Sequence, residues 1–224
     1  MRATRNVTAL VLLTAAITAF VGCSPVGSPQ PTVSGSPAPG GTASTDDAVI
    51  DFSFAAGPAI GEHVSSLQWN DPFRADARFA VESADDGNGR WAYRDTTNQC
   101  TISFYQGRLT DVPNTSDDAA DTNATIALVN QSVDPSTTAA LVAQYGEDTA
   151  LPVGGTDAVV QARLFGGQTV QGRSRADVAR FFGGLDWVLY AGIVCPSAEP
   201  GAYAEFDELL AAGSLAVVAT TKSE

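Results

Sequence analysis

Apolar and polar residues alternate at every second position in several stretches of the chain, which is the pattern of strands with one buried face. Two of these stretches, residues 90–95 and 100–106, flank a short polar connection and predict a β-hairpin. Trp91 and Tyr93 fall on one face of the first of these strands. The same alternation predicts further strands over residues 49–54, 77–83, 158–165, 185–195 and, as a strand or extended tail, 214–220.

Apolar residues spaced three and four apart predict helices between these strands. One helix runs from Ser116 to about Gln131 and carries acidic residues in its first turn. Asp134 as the cap and Pro135 as the first residue predict the start of the next helix, which Gly146 ends. A short helix and a closing helix are predicted over residues 60–67 and 202–212.

Residues 175–182 fit either a strand or a helix, because Ser174 and Asp177 also suit the start of a helix. Gly183-Gly184 favours the strand, since it would form a two-residue hairpin into the strand that follows. The order of elements is then strands, helices, strands and a helix, with short connections. This order predicts an α+β fold in which an antiparallel β-sheet meander is covered by helices.

The N-terminus has the composition of a secretory signal peptide over residues 1–22. Arg2 and Arg5 precede an uncharged stretch from Val7 to Val21 that is rich in Ala, Val, Leu, Ile and Phe. This stretch is too short for a comfortable transmembrane span, which needs about 20 apolar residues. We therefore expect it to direct export of the chain.

The signal ends in Phe20-Val21-Gly22-Cys23, which resembles the lipobox of bacterial lipoproteins, although Phe20 stands where that motif usually has leucine. The resemblance implies that Cys23 receives a diacylglycerol thioether and becomes the mature N-terminus. Acyl chains on one residue would hold the protein on the outer face of the cell membrane. The alternative is an ordinary cleaved signal peptide with an incidental cysteine.

Residues 23–45 predict a flexible tether between that anchor and a single folded domain, residues 46–224. Of the 22 residues from Ser24 to Thr45, 17 are Pro, Gly, Ser or Thr, and none is charged. Such a segment cannot bury a core and should stay extended.

Composition and charge exclude several classes of protein. Apolar residues make up 44% of the chain and charged residues 17%, which excludes a disordered acidic tail or a coiled coil. The formal net charge of -13 argues against nucleic acid as a partner, because phosphate binding needs clustered Lys and Arg. A single lysine beside 11 arginines, with abundant Ala, Gly, Val and Asp, is typical of a GC-rich, plausibly actinobacterial, genome.

Two cysteines remain when Cys23 is set aside, and we expect Cys100 and Cys195 to form a disulfide. Paired thiols are usual in exported proteins, and these two lie at the start and the end of predicted strands. The alternatives, a redox pair or a nucleophile, need a nearby base or a Cys-x-x-Cys motif, and neither is visible in the sequence.

No catalytic, cofactor or metal site can be assigned from motifs. The single imidazole, His63, has only Ser65 and Ser66 close by in sequence, so a surface or half-buried helix position is favoured over a catalytic triad. The acidic run at residues 85–89 fits a hairpin turn better than a calcium loop. Asp117, Asp118 and Asp121 suit the first turn of a helix.

The aromatic pair Trp91 and Tyr93 is the one candidate ligand site. An aromatic stripe on a strand is usually core, but these two residues would line a groove for a sugar or an apolar ligand if their face were open.

In outline the domain resembles the Mog1/PsbP-like fold found in actinobacterial lipoproteins. The residues that carry the resemblance are the meander from Trp91 to Tyr105 and the C-terminal part from Trp187 through Cys195-Pro196 to the tail Ser214–Val217. Anchor, tether and acidic domain together predict a noncatalytic binding or accessory module of the cell envelope, whose partner is an envelope protein or a small ligand. The alternative is an envelope hydrolase with a carboxylate site that no motif marks.

Overall fold

A computed structural model describes residues 50–62, 64–71, 73–168, 172–196, 206, 210 and 215–219. The 3-10 helices span Phe54–Glu62 and Phe73–Ala75, and the α-helices are α1 (Asp118–Gln131) and α2 (Ala139–Tyr145). The strands are β1 (Val64–Trp69), β2 (Phe79–Ser83), β3 (Arg90–Asp95), β4 (Thr101–Gly107), β5 (Glu147–Pro152), β6 (Val159–Gln168), β7 (Ser174–Phe182), β8 (Trp187–Cys195) and β9 (Leu215–Ala219).

Seven strands form one antiparallel sheet in the order β2-β3-β4-β8-β7-β6-β5. Strands β1 and β9 form a second, two-stranded antiparallel sheet. The hairpin β3–β4 joins Trp91 to Phe104 and Tyr93 to Ile102. The predicted α+β class, with an antiparallel meander and covering helices, is confirmed.

Each face of the large sheet packs against its own core. The first core contains Phe104 and Ile193 of the sheet, Leu67 of β1 and Leu215 of β9. The second core contains Phe181 and Val188 of the sheet, together with side chains of α1 and α2 such as Ile126 and Val142. The central strand β7 is therefore covered on both faces, and all nine of its residues are buried. This confirms the strand over residues 175–182.

The predicted disulfide between Cys100 and Cys195 is also confirmed. Strands β4 and β8 are antiparallel neighbours, and Thr101 of β4 lies opposite Val194 of β8. Cys100 therefore comes next to Cys195 at the end of this strand pair, 95 residues away along the chain. Both sulfur-bearing side chains are buried in the first core.

The predicted strand at residues 49–54 and helix at 60–67 are wrong. Residues 54–62 form a 3-10 helix, and residues 64–69 form β1. Both conformations depend on distant parts of the chain: β1 pairs with β9, and the Phe54 amide donates to Gln161 Oε1 at 2.9 Å. Local periodicity carries no information about these long-range partners.

Three other boundaries differ from the prediction. Helix α2 begins at Ala139, with Thr138 as its cap, because Asp134 instead closes a turn by accepting from the amide and hydroxyl of Ser136. Strand β5 was not predicted, since its exposed positions at this sheet edge break the apolar alternation. The turn after β7 has four residues, 183–186, because Phe182 pairs with Trp187.

Several predicted features lie outside the described residues: the signal peptide at 1–22, Cys23, the tether up to residue 45, and His63. Of the closing helix at 202–212, only Phe206 and Leu210 are described, and both are helical and buried. Within the described part of the chain, the helices are all too short or too polar to cross a bilayer.

Candidate functional site

Trp91 and Tyr93 lie together at a cavity of about 480 Å³, which we call the aromatic cleft. It opens on the sheet face that carries the first core, beside the edge strand β2. Its lining includes Trp69 at the end of β1, Asp71 and Arg74 in the connection to β2, and Gln106 of β4. Alternation along the strands explains the grouping, because Gln106 shares a face with Phe104, and Trp91 lies opposite Phe104.

The aromatic rings of the cleft are packed rather than free. Trp91 stacks on Phe104 with ring centroids 5.3 Å apart and planes 12° apart. Trp69 meets the same Phe104 ring edge-on at 5.6 Å. Trp91 and Tyr93 are only 8% and 4% exposed. The two residues therefore belong to the first core, as an aromatic stripe usually does, and also form the floor of an open cleft.

The hydrogen bonds of the cleft leave one buried donor without a partner. The indole N–H of Trp69 donates to the Tyr105 carbonyl at 3.3 Å, and the Trp69 amide donates to Gln106 Oε1 at 2.8 Å. The indole N–H of Trp91 is buried and has no hydrogen-bond partner. Most buried polar groups in proteins are hydrogen-bonded, so an unsatisfied donor on a residue that lines a cavity is available to a bound water or ligand.

The Asp71 carboxylate is held on both oxygens by the protein. Tyr93 donates its hydroxyl to Asp71 Oδ2 at 2.5 Å, and the Phe73 amide donates to Oδ1 at 3.1 Å. Burial, together with the neighbouring Asp71 carboxylate, raises the pKa of Tyr93 well above its usual range. Tyr93 therefore remains a protonated donor at neutral pH and fixes the position of Asp71.

The acidic run at residues 85–89 is a turn between β2 and β3. The Gly87 amide donates to Asp85 Oδ1 at 2.9 Å and the Asn88 amide donates to Asp86 Oδ1 at 2.7 Å. Gly89 has a φ of 77°, and a Cβ there would lie 1.9 Å from the Gln106 carbonyl oxygen. The carboxylates thus cap turn amides, and across the described residues no group of three or more His, Cys, Asp or Glu side chains is placed to hold a metal ion.

The aspartates at the start of α1 are not a set of surface charges. Asp117 is the cap and accepts from the Ala120 amide at 3.0 Å, as the first-turn prediction requires. Asp118 and Asp121 are instead buried. Asp121 accepts from the amide and hydroxyl of Thr115, which ties the preceding loop to the helix. The carboxylates that were predicted to interact with the helix dipole therefore also attach α1 to neighbouring parts of the fold.

A second cavity, of about 550 Å³, lies between α1 and strands β3 and β4, and Trp91 lines it as well as the aromatic cleft. We call it the helix-side groove. It exists because α1 packs over β7 and β6 and leaves the adjacent face of β3–β4 uncovered. Tyr105, Leu109, Leu128 and Val129 make much of its lining apolar, and Asp111 is the one carboxylate in that lining.

Sequence reasoning missed a buried polar network on the central strands. Asp177 of β7 accepts from Arg175 Nε at 2.9 Å, from the Tyr190 hydroxyl at 2.5 Å and from Asn130 Nδ2 at 3.0 Å. Hydrogen bonding to Asp177 raises the pKa of Arg175, although burial opposes the shift. Burial and Asp177 raise the pKa of Tyr190. The sequence did contain a signal for this network: Arg175 and Asp177 have opposite charges and lie two positions apart on one face of an otherwise apolar strand.

A second buried ion pair joins Arg180 of β7 to Asp118 of α1. Arg180 Nη2 donates to Asp118 Oδ2 at 2.8 Å and to the Ser53 carbonyl at 2.9 Å, and both side chains of the pair are fully buried. The guanidinium also lies 4.3 Å from the centroid of the Phe54 ring. Burial raises the pKa of Asp118 and lowers that of Arg180 to about 10. The pair attaches the N-terminal segment and α1 to the centre of the sheet.

Comparison with known proteins gives little beyond this geometry. No family model and no curated protein match the chain. The chain is similar to the solution structure of cyanobacterial PsbP (CyanoP) from Synechocystis sp. PCC 6803, with 14% sequence identity over 69% of this chain and 94% of that chain. The TM-score of 0.37 is too low for this similarity to bear on the ligand or on the function.

Proposed function

We propose that the protein is a noncatalytic binding or accessory module of the cell envelope, held on the outer face of the membrane by a lipid on Cys23 and binding its ligand or partner at the aromatic cleft. The lipobox-like residues before Cys23 and the uncharged tether support the anchor. The observation that carries the binding role is the cleft itself, an open cavity of about 480 Å³ lined by Trp91, whose indole N–H is buried and unpartnered.

The described carboxylates favour binding over hydrolysis. A carboxylate hydrolase needs two facing groups, one of which acts as an acid with a raised pKa. In the cleft, Asp71 is held by Tyr93 and the Phe73 amide, and Asp85 accepts from the Gly87 amide. Burial raises the pKa of Asp118, but this carboxylate is fully buried against Arg180 and does not line the cleft.

The anchor is tested by changing Cys23 to Ala and separating membrane from soluble fractions of the cells. We expect the variant, unlike the wild type, to leave the membrane fraction after signal cleavage. A Ser44→Ala variant in the predicted tether serves as the control, because it changes a residue near the N-terminus without touching the lipobox or the disulfide. Membrane retention of the processed Cys23→Ala protein would contradict the anchor.

The binding role is tested in intact cells with a photo-crosslinking residue at Val81. Val81 lines the cleft and is 62% exposed, so a probe there should reach a bound ligand or partner. Val133, which is exposed on the other side of the sheet after α1, carries the same probe in the control. A discrete adduct at Val81 and none at Val133 is the expected result. Absence of an adduct at Val81 would argue against the cleft.

The competing class, an envelope hydrolase, predicts a different result. If a hydrolytic activity on envelope material were found and Asp71→Asn or Asp85→Asn abolished it without unfolding the protein, the noncatalytic assignment would be wrong. The binding proposal expects neither substitution to remove any turnover.

A further inference from the structure

We infer that the ligand of the aromatic cleft is a neutral saccharide. This inference rests on the proposed function, because it assumes that the cleft is the binding site. The argument comes from the hydrogen-bonding groups that the cleft offers and from their charges.

Two donors in the cleft have no partner within the protein. One is the indole N–H of Trp91, which is more than nine-tenths buried. The other is the amide nitrogen of Gln106, whose orientation is fixed by a backbone group. Because the Trp69 amide can only donate, the atom that it meets must be Gln106 Oε1, and this leaves Nε2 with no hydrogen-bond partner in the described structure. Both donors are therefore fixed by the fold before a ligand arrives.

The same cleft offers acceptors and a cation. Asp71 and Asp85 each accept one or two hydrogen bonds from the protein, and a carboxylate has about four acceptor positions. Arg74 adds a guanidinium at the rim. A hydroxyl group both donates and accepts, so a ligand with several hydroxyls can use this mixed set fully.

Charge and polarity exclude the other simple ligand classes. Two carboxylates against one guanidinium leave the lining negative, which disfavours a phosphate or a carboxylate ligand. A purely apolar ligand would cover the Trp91 N–H and the Gln106 amide without pairing them, which is costly. A saccharide has apolar C–H faces for the aromatic edges and hydroxyls for the polar groups, and the cavity lies within the range of roughly 300–1,000 Å³ typical of small-molecule sites.

The test uses the full-length lipoprotein in a detergent without a sugar head group. Saturation-transfer NMR and tryptophan fluorescence measure binding of glucose, galactose, arabinose, N-acetylglucosamine and their disaccharides. We expect at least one of them to bind. Trp91→Phe keeps an aromatic ring at the position that stacks on Phe104 but removes the N–H, and it should weaken binding at least tenfold.

A second variant guards against a folding artefact. Gln106→Glu keeps an oxygen for the Trp69 amide but replaces the donor nitrogen, so it should also weaken binding at least tenfold. Gln144→Glu, on the exposed face of α2, adds the same charge away from the cleft and should bind as the wild type does.

The outcomes separate the two proposals. If no saccharide of the set binds, or if Trp91→Phe and Gln106→Glu bind as the wild type does, the saccharide inference is overturned. An adduct from the Val81 probe together with failure of every saccharide would leave the proposed function standing. Failure of both the adduct and the saccharides would remove both proposals.

Discussion

At the scale of single residues, the indole N–H groups of Trp91 and Trp187 provide a direct test of what an unpartnered donor costs. The Trp187 N–H donates to the Leu67 carbonyl at 2.8 Å, whereas the Trp91 N–H has no partner. Replacing Trp187 with Phe removes a made hydrogen bond and should lower the free energy of unfolding by roughly 1–3 kcal/mol. Replacing Trp91 with Phe removes an unsatisfied donor, so its cost should be clearly smaller.

Chemical denaturation of both variants in saccharide-free buffer measures this difference. Both variants replace an indole by a phenyl ring and lose the same side-chain volume, so the difference between their costs reports mainly the hydrogen bond. If Trp91→Phe proved as costly as Trp187→Phe, the Trp91 N–H would have a partner in the free protein, and the cleft would lose its open donor.

The contribution of the Asp95 carboxylate to the stability of the fold can be measured through its dependence on pH. Asp95 is buried and accepts from Arg78 Nε at 2.9 Å and from the Thr97 amide at 2.7 Å. Burial alone would raise the pKa of Asp95, but these hydrogen bonds outweigh burial and lower it below the ordinary value of 3.8. Because the folded pKa is lowered, the stabilisation is present above 3.8 and is lost as pH falls through the folded pKa.

Asp95→Asn should therefore lower the free energy of unfolding by roughly 1–3 kcal/mol at pH 7. The difference between variant and wild type should shrink when unfolding is measured at pH 3. Asp157→Asn, at an exposed position, is the matched control and should change little at either pH. A difference that stayed constant from pH 7 to pH 3 would show that the ionised Asp95 carboxylate is not what stabilises the fold.

Sequence reasoning placed Trp91 beside Tyr93 and joined Cys100 to Cys195 because these pairings follow from strand alternation and antiparallel order. It could not place Asp118 against Arg180. That pair joins α1 to the centre of the sheet, 62 residues apart along the chain, and depends on how the two elements pack.

At the scale of elements, β7 shows why alternation alone misjudges a central strand. Arg175 and Asp177 lie on one face of β7 and Arg180 lies on the other, and polar positions of a strand usually face water. Helices cover one face of β7 and the first core covers the other, so each of these charges is buried. The edge strand β5 shows the reverse error, since its exposed positions hid it from the same pattern.

Gly192 of β8 tests how tightly the buried network is packed between neighbouring strands. A Cβ at this position would lie 2.2 Å from the Tyr190 hydroxyl oxygen and 3.0 Å from Asp177 Oδ1. Gly192→Ala should therefore displace Tyr190 and destabilise the fold by about 1–3 kcal/mol, the usual cost of overpacking. Thermal and chemical unfolding of the variant measure this loss.

If Gly192→Ala destabilises the fold by a clash with the Tyr190 hydroxyl, then Tyr190→Phe should restore part of the lost free energy of unfolding. Removing the hydroxyl takes away the atom that the new methyl group would meet. In a double-mutant cycle, Gly192→Ala should cost less in the Tyr190→Phe background than in the wild type. Equal costs in the two backgrounds would place the strain in the backbone of β8 instead.

At the scale of the whole molecule, the acidity belongs to the folded domain. Residues 1–45 contain two arginines and no acidic residue, so all 25 acidic residues lie from Asp46 onward. Without residues 1–22 the balance is 10 basic to 25 acidic residues, or -15. Five ion pairs formed by described residues join acids to bases one to one and therefore leave this excess unchanged. If the proposed anchor holds the domain near a membrane, the acidic surface should keep it away from anionic lipid head groups.

Such an excess should make the stability of the domain depend on ionic strength. Like charges repel one another across a compact surface, and salt screens them over about 10 Å at 0.1 M. The melting temperature at pH 7 should therefore rise between 20 and 500 mM NaCl, on the order of a few degrees for a destabilisation near 1 kcal/mol. The rise should vanish near pH 4, close to the sequence isoelectric point of about 4.2, because there the net charge is almost zero.

A general salting-out effect would raise the melting temperature equally at both pH values. A fall with salt at pH 7 would mean that the ion pairs stabilise the domain more than the acidic excess destabilises it.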